Sequence, residues 1–238
     1  MRRTSTGRVR PHHPGTPAHA GHVDHRRMHE AVWTRDEAIA LLESPERLES
    51  EDAQLLWRRV GLRSGMTVVD VGAGTGYYAL PACAAVGPTG KVYAVDVSGP
   101  LIELLRERSA RYPNLTPVRS RPNRVPLPDA IADRVLLANL VHGVPPATIV
   151  EAVRLLRPGG RLVDVDWRKE PTLGGPPVEF RLSESEASRV LQRYGLEVVA
   201  RSSLGPAHYV VVGAKPTATQ RASSGSPTRR RRGQPAAR

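Results

Sequence analysis

The stretch Val68-Val69-Asp70-Val71-Gly72-Ala73-Gly74-Thr75-Gly76-Tyr77-Tyr78-Ala79 decides the fold. An apolar run ends in an acid, a glycine-rich turn follows, and a helix-like run comes next. This is the strand, loop and helix that open a doubly wound α/β sheet, at the place where such sheets hold a nucleotide-like group. The glycines are spaced G-x-G-x-G, not the G-x-G-x-x-G of dinucleotide binding. They remove side chains where the backbone turns tightly and approaches a ligand. Asp70, directly before the loop, would repel a pyrophosphate but suits an amino-acid ammonium. Taken alone, the loop reads equally well as a plain strand-to-helix turn.

A second acid narrows the reading. Val92-Tyr93-Ala94-Val95-Asp96 is an apolar strand ending in a carboxylate, 20 residues after Gly76. An acid at the tip of the second strand is placed to accept the hydroxyls of a ribose. An isolated Asp there would rather cap the helix that starts near Pro100. Paired with the glycine loop at this spacing, ribose binding is the better reading.

Outside this region, elements alternate. Helical patterns cover 46–60 (capped by Ser44 or Ser50), Tyr77–Ala85, Pro100–Ala110 and Pro146–Leu156. Strand patterns cover Met66–Val71, Lys91–Val95, Leu115–Arg119, Asp133–Ala138 and Arg161–Asp166, the last entered through a Gly159-Gly160 turn. Ser183 and Glu186 form a capping box for a helix to about Arg193, which Gly195 ends. Leu196–Ser202 and His208–Ala214 follow, separated only by a Gly205-Pro206 turn. Helices between the earlier strands make those parallel, whereas the short last turn reverses the final strand.

The net charge of +12 over 238 residues looks like a nucleic-acid binder until it is located. Residues 1–30 hold six Arg against Asp24 and Glu30, and residues 215–238 hold Lys215 and six Arg without an acid. Between them the balance is 22 basic to 21 acidic residues, so the domain is nearly neutral. Residues 1–28 and 216–238 read as disordered basic tails around a domain at 29–215. Nucleic acid would be met only through those tails. His12, His13, His19, His22, His25 and His29 have helical spacings compatible with a metal, but a biased tail is the better reading, and no metal is expected. Cys83 is the single cysteine, so no intramolecular disulfide forms, which fits the cytoplasm. No secretory signal and no membrane span is expected.

The motifs VVDVGAGTGYYA, VYAVDVS, VPLPDAIADRVLLANLVHGV and LLRPGGRLVDVDW, in that order, resemble the class I S-adenosylmethionine-dependent methyltransferases, in particular the small-molecule and quinone-biosynthesis group. The resemblance covers about residues 46–214. It implies a Rossmann-like, doubly wound seven-stranded sheet, mostly parallel with the last strand antiparallel, and helices on both faces. It implies S-adenosyl-L-methionine as cofactor. Asp70, Gly72, Ala73, Gly74 and Gly76 would surround its methionine portion, Asp96 its ribose and Val97 its adenine, with Asn139 at the methyl-transfer side. The family carries an acid after the third strand that accepts from the adenine amino group. This chain has Ser120-Arg121-Pro122-Asn123 there, with Arg121 at the acid's position. Arg has no acceptor, so Asn123 is the candidate in its place.

His142 and Asp166 are the candidate catalytic groups, beyond the fourth strand and at the end of the fifth. His142 is either a general base or a loop-ordering residue. Asp166 either orients a substrate or pairs with Arg168 or Arg181. The stretch Gly174–Pro177 is either a wall of the substrate site or a connector. The expected activity is methyl transfer to a small-molecule acceptor. The alternatives are a methyltransferase on nucleic acid or protein recruited by the tails, and a non-catalytic relative that binds the cofactor.

Overall fold

The computed structural model describes residues 34–45, 51–172 and 174–217, with residue 219. The tails assigned to 1–28 and 216–238, with all six N-terminal histidines, lie outside these residues apart from 216, 217 and 219. Two helices come first, α1 (Arg35–Leu42) and α2 (Ala53–Arg59). They are followed by β1 (Thr67–Val71), α3 (Ala79–Val86), β2 (Lys91–Asp96), α4 (Gly99–Ser109), β3 (Leu115–Arg119) and β4 (Ala132–Ala138). The chain then forms α5 (Pro146–Leu155), β5 (Leu156–Trp167), α6 (Glu184–Arg193), β6 (Glu197–Leu204) and β7 (His208–Ala214).

The seven strands form one sheet in the order β3-β2-β1-β4-β5-β7-β6. β7 runs antiparallel to both β5 and β6, and the other pairs are parallel. The chain leaves β1 toward one edge and returns at β4 toward the other. β1 and β4 therefore flank a topological switch point, where the carboxyl ends of the strands leave a crevice.

Alternation along the strands sorts the core into two layers. Val68, Leu136, Val163 and Val210 face α2, α3 and α4. Val69, Leu137, Leu162 and Val211 face α5 and α6. Strands with apolar side chains on both faces read as continuous hydrophobic runs, which is why the central ones were legible.

Some boundaries differ from the sequence reading. Of the helix expected over 46–60, residues 46–50 lie outside the described residues; Pro45 is helical, and the later part is α2 from Ala53, where the Asp52 carboxylate accepts from Leu55 N at 2.8 Å. β5 starts at Leu156 instead of Arg161. Gly159 (φ +77°) is a kink inside the strand, and Gly159 N to Lys215 O and Lys215 N to Gly160 O extend the ladder. α1 was not anticipated. It packs Ala38 against Leu101 and Leu104 of α4, and Arg35 forms a bidentate pair with Glu107. The capping box of Ser183 and Glu186 is present as expected. No helix among the described residues is long and apolar enough to cross a membrane.

Gly195 ends α6 with φ +77°, and an added Cβ would meet nothing within 4 Å. Gly195→Ala therefore carries a purely conformational cost, expected at about 1 kcal/mol. Urea unfolding of the variant against the parent measures it, and an unchanged midpoint would contradict the assignment.

Candidate functional site

The glycine loop leaves β1 and is fastened to the tip of β2. Gly72 N and Ala73 N donate to Val95 O at 2.8 and 2.9 Å. Gly74 N donates to Asp96 Oδ2 at 2.9 Å, and Ser98 N donates to Asp96 Oδ1 at 2.8 Å. Asp96 is buried, and burial raises its pKa, opposed by the amides of Ser98, Gly74 and Val97. The helix cap that Asp96 might have supplied is instead the Ser98 hydroxyl, which accepts from Leu101 N. Gly72 has φ +73°, and a Cβ there would lie 2.6 Å from Leu140 Cδ1. Gly72 is thus closed to side chains by both torsion and space.

Above the loop is a cleft of about 210 Å³ at the switch point. Asp70, Gly72, Ala73, Gly74, Asp96, Val97 and Asn139 all line it. Gly76 does not line it. It sits below the loop, where a Cβ would come 2.9 Å from Leu105. Asn123 does not line it either. It lies in the exposed turn that the Arg121 and Arg124 backbones close, whereas Ser120, Arg121 and Pro122 form the wall. Asn139 holds a left-handed backbone (φ +56°), with its N–H on Val165 O at 2.7 Å. Its buried side-chain oxygen has no hydrogen-bond partner among the described residues.

His142 and Asp166 meet beside this cleft. His142 Nδ1 lies 2.8 and 2.9 Å from the two Asp166 oxygens, and His142 N donates to Asp166 Oδ2 at 3.2 Å. Both side chains are buried. The carboxylate accepts the Nδ1 proton, which fixes the tautomer and the orientation of the ring. Asp166 therefore pairs with His142, not with Arg168 or Arg181 as the sequence reading allowed. Arg181 is buried and donates to the carbonyls of Arg168, Glu170, Gly174 and Pro176 at 2.6–3.0 Å. Burial lowers its pKa, and the Asp166 charge opposes that. The loop over this edge is thus wrapped around one guanidinium. Gly175 lies flat on Trp167, where a Cβ would approach ring atoms to 2.4 Å.

A second buried pair was missed. Glu51 lies ahead of α2, and its Oε1 is 3.3 Å from His208 Nε2. Tyr78 OH donates to the Glu51 carboxylate and Tyr77 OH to the Glu51 carbonyl, and both tyrosines line the cleft. His208 stacks on Trp167 with ring centroids 4.1 Å apart. Nothing local in the sequence marks Glu51, because its partners lie 26 or more residues away.

The geometry defines a class first: a doubly wound α/β domain with a cleft over a glycine loop at its switch point. Comparison with known proteins carries this further. Residues 68–160 match a family model described as a methyltransferase domain. A solved SAM-dependent methyltransferase from Aquifex aeolicus is 32% identical with a TM-score of 0.71, the match covering 76% of this chain and 98% of that one. Demethylmenaquinone methyltransferase of Staphylococcus aureus (strain JH9) is 32% identical over 125 residues, 50% of this chain and 52% of the relative. The chain spans about half the length of the curated relatives it matches. A geranyl diphosphate methyltransferase in complex with GPP and sinefungin shares the fold, with a TM-score of 0.59 at 19% identity over 76% of this chain and 82% of that one.

The chain belongs to the S-adenosylmethionine-dependent methyltransferase family, whose cofactor is S-adenosylmethionine. The residues present fit that group. Gly72 and Gly74 present backbone alone to the cleft, the carboxylates of Asp70 and Asp96 line it together with the ion-paired Glu151, and the Asn139 oxygen offers an acceptor inside it.

Asp164 gives a stability test of this edge. It is fully buried, neither carboxyl oxygen has a partner among the described residues, and it shares a strand face with Asp166. Burial, and then the Asp166 charge, push its pKa well above the ordinary value. A raised folded-state pKa means that the native chain keeps a proton which the unfolded chain loses as pH climbs past about 4. The penalty therefore grows with pH up to the folded value. Asp164→Asn is expected to be more stable than the parent, by a margin larger at about pH 8 than at about pH 5. Urea unfolding at both pH values checks this. A margin that shrinks with pH would refute the assignment.

Proposed function

We propose that this protein transfers a methyl group from S-adenosylmethionine to a small-molecule acceptor, and does so in the cytoplasm. One observation carries the reading: the Asp96 carboxylate is clasped to the glycine loop at the floor of a cleft at the switch point. The quinone methyltransferase relative supports a small acceptor, as does the near-neutral charge of the central domain. The single cysteine, Cys83, is buried and forms no disulfide, which suits a reducing compartment.

Asp96 holds the ribose with the carboxylate capacity that its amide donors leave. Ala73 and the glycines on either side give the methionine end its space, and Asp70 receives the ammonium. Asn139 offers its buried oxygen beside the reacting end, and Val97 covers the base. The cleft encloses about 210 Å³, below the roughly 300–1,000 Å³ usual for small-molecule sites. Leu42 of α1 closes over Gly74, so α1 swings outward to admit the cofactor. Its footing is Ala38 with the partly buried Ile39 and Leu42, and the ion pairs Arg35–Glu107 and Glu43–Arg108.

The bound cofactor supplies an electrophilic methyl on a sulfonium, so alignment carries much of the rate. His142 is the base we assign to the acceptor's proton, and because its ring is buried beside the cleft, the acceptor-side wall must open before an acceptor reaches it. Asp166 fixes the tautomer and stabilises the imidazolium that forms. Arg181 shapes the loop that walls the acceptor side and keeps water from it.

Calorimetric titration of the full chain with S-adenosylhomocysteine tests the cofactor reading. Micromolar binding is expected, and no binding at millimolar ligand to folded protein would overturn it. Asp96→Ala is expected to weaken that binding by at least about tenfold. Transfer of labelled methyl to a panel of quinols and phenols, against RNA, DNA and protein, tests the acceptor class. With an active acceptor, His142→Ala is expected to lower kcat by about 100-fold or more and leave cofactor affinity unchanged. An unchanged kcat would make His142 a purely structural residue.

A further inference from the structure

Leu42, at the end of α1, belongs to the lining of the cleft. Its Cδ1 lies 2.9 Å from where a Cβ on Gly74 would stand, so it rests on the glycine loop. The rest of the lining comes from strand ends, the loops that leave them, and α4 and α5. α1 has eight residues, too few to hold a helix in water on its own. It stands only while it is seated on α4, where Ala38, Ile39 and Leu42 pack with Leu101 and Leu104.

Each end of α1 adds one bidentate ion pair to that seat. At its first residue, Arg35 Nη1 and Nη2 donate to Glu107 Oε1 and Oε2 at 2.8 and 2.6 Å. Just past its last, Glu43 Oε1 and Oε2 accept from Arg108 Nη1 and Nη2 at 2.5 and 3.2 Å. The pairs run in opposite senses, with α1 supplying the cation in one and the anion in the other. Turning α1 end for end would set Arg35 against Arg108 and Glu43 against Glu107, so the pairs fix its direction as well as its seat. Arg108 Nη1 also donates to Thr75 O at 2.7 Å. One guanidinium thereby holds both the end of α1 and the glycine loop beneath it. Fork-to-fork geometry makes these pairs stronger than ordinary surface contacts. They are still open to ions: the side chains are 45% and 57% exposed in the first pair, 25% and 28% in the second. Added salt therefore screens both.

We propose that Arg35–Glu107 and Glu43–Arg108 form an electrostatic clasp that holds α1 across the cleft, so that ionic strength governs how fast the cofactor enters. This rests on the cofactor reading above. With α1 seated, the cleft of about 210 Å³ is smaller than small-molecule sites usually are. Entry therefore waits on the release of α1, and the release rate carries the salt dependence of the two pairs. Association that quickens with salt is a distinctive signature, because a ligand without net charge gains nothing from screening on its own account.

Two measurements on the full chain test this. The first is stopped-flow association of S-adenosyl-L-homocysteine, which has no net charge at neutral pH, in about 0.02 M and about 0.5 M sodium chloride. The association rate of the parent is expected to rise about threefold or more with salt. Arg35→Gln with Glu43→Gln removes the α1 side of both pairs without changing the net charge. That variant is expected to associate at the faster rate already in low salt and to stay level as salt is added. The second measurement is hydrogen exchange at the amides of residues 38–43 in the ligand-free chain, which reads the clasp directly because a released α1 loses its helix. Exchange there is expected to quicken about threefold or more with salt in the parent, and in low salt in the variant, while β1 and β4 stay unchanged. Parent association that is level or slower with salt overturns the clasp as a gate and leaves the cofactor reading standing, as does a variant that matches the parent in low salt. Exchange that follows neither salt nor the substitutions overturns the clasp whatever the ligand does. If the ligand does not bind while exchange follows the charges, the cofactor reading fails, the gate falls with it, and the pairs are a hold on α1 alone.

Discussion

A buried carboxylate must be given hydrogen bonds, and Asp96 takes them from the backbone of its own site. Moving a carboxylate out of water without partners would cost several kcal/mol, whereas charge-assisted bonds from amides are among the stronger ones available. The amides of Gly74 and Ser98 supply these bonds at 2.8–2.9 Å. The same contacts fix the glycine loop of β1 to the tip of β2. They hold only if β1 and β2 are parallel and in register, with Val71 opposite Val95. The order of the sheet, the turn after β1 and the shape of the cleft are therefore conditions on one side chain's solvation.

That dependence explains what the sequence could disclose. The loop and Asp96 are each local patterns, an apolar run followed by glycine or by an acid, and their separation is set by one helix. The strands of the buried sheet are continuous runs of Val, Leu and Ala for the same reason. The reversal of β7 was readable from a turn too short to hold a helix. What stayed hidden depends on partners far apart in the chain. Glu51 meets Tyr78 and His208 across the fold. Arg181 looked like a partner for Asp166, yet its guanidinium is spent on carbonyls that only the folded loop gathers. α1 carries only one fully buried residue, Ala38, too little apolar surface to announce itself by periodicity.

The two sides of β5 receive similar chemistry from different sources. Strand alternation sends Asp166 to the α5 and α6 side, where His142 meets it. The next residue, Trp167, points the other way and stacks on His208, which is paired with Glu51. A histidine–carboxylate pair thus stands on each face of the sheet at the end of one strand. They differ in neighbours. The first adjoins the strand-end loop that lines the cleft through Leu140 and Val144, and the second reaches the cleft only through Tyr77 and Tyr78.

The reversed strand has a consequence for how such a domain can diverge. Because β7 is antiparallel, its first residues arrive at the edge where the parallel strands end, and the Gly205-Pro206 turn before it lies on that same rim. The lining of the cleft comes from residues before 152. Much of the opposite rim is built from the later chain, by the Arg181-bound loop and the β6–β7 turn. Insertions in those later segments can recast that rim while leaving the Asp96 lock untouched. The two rims are thereby written in separable lengths of chain, and selection can edit one without rewriting the other.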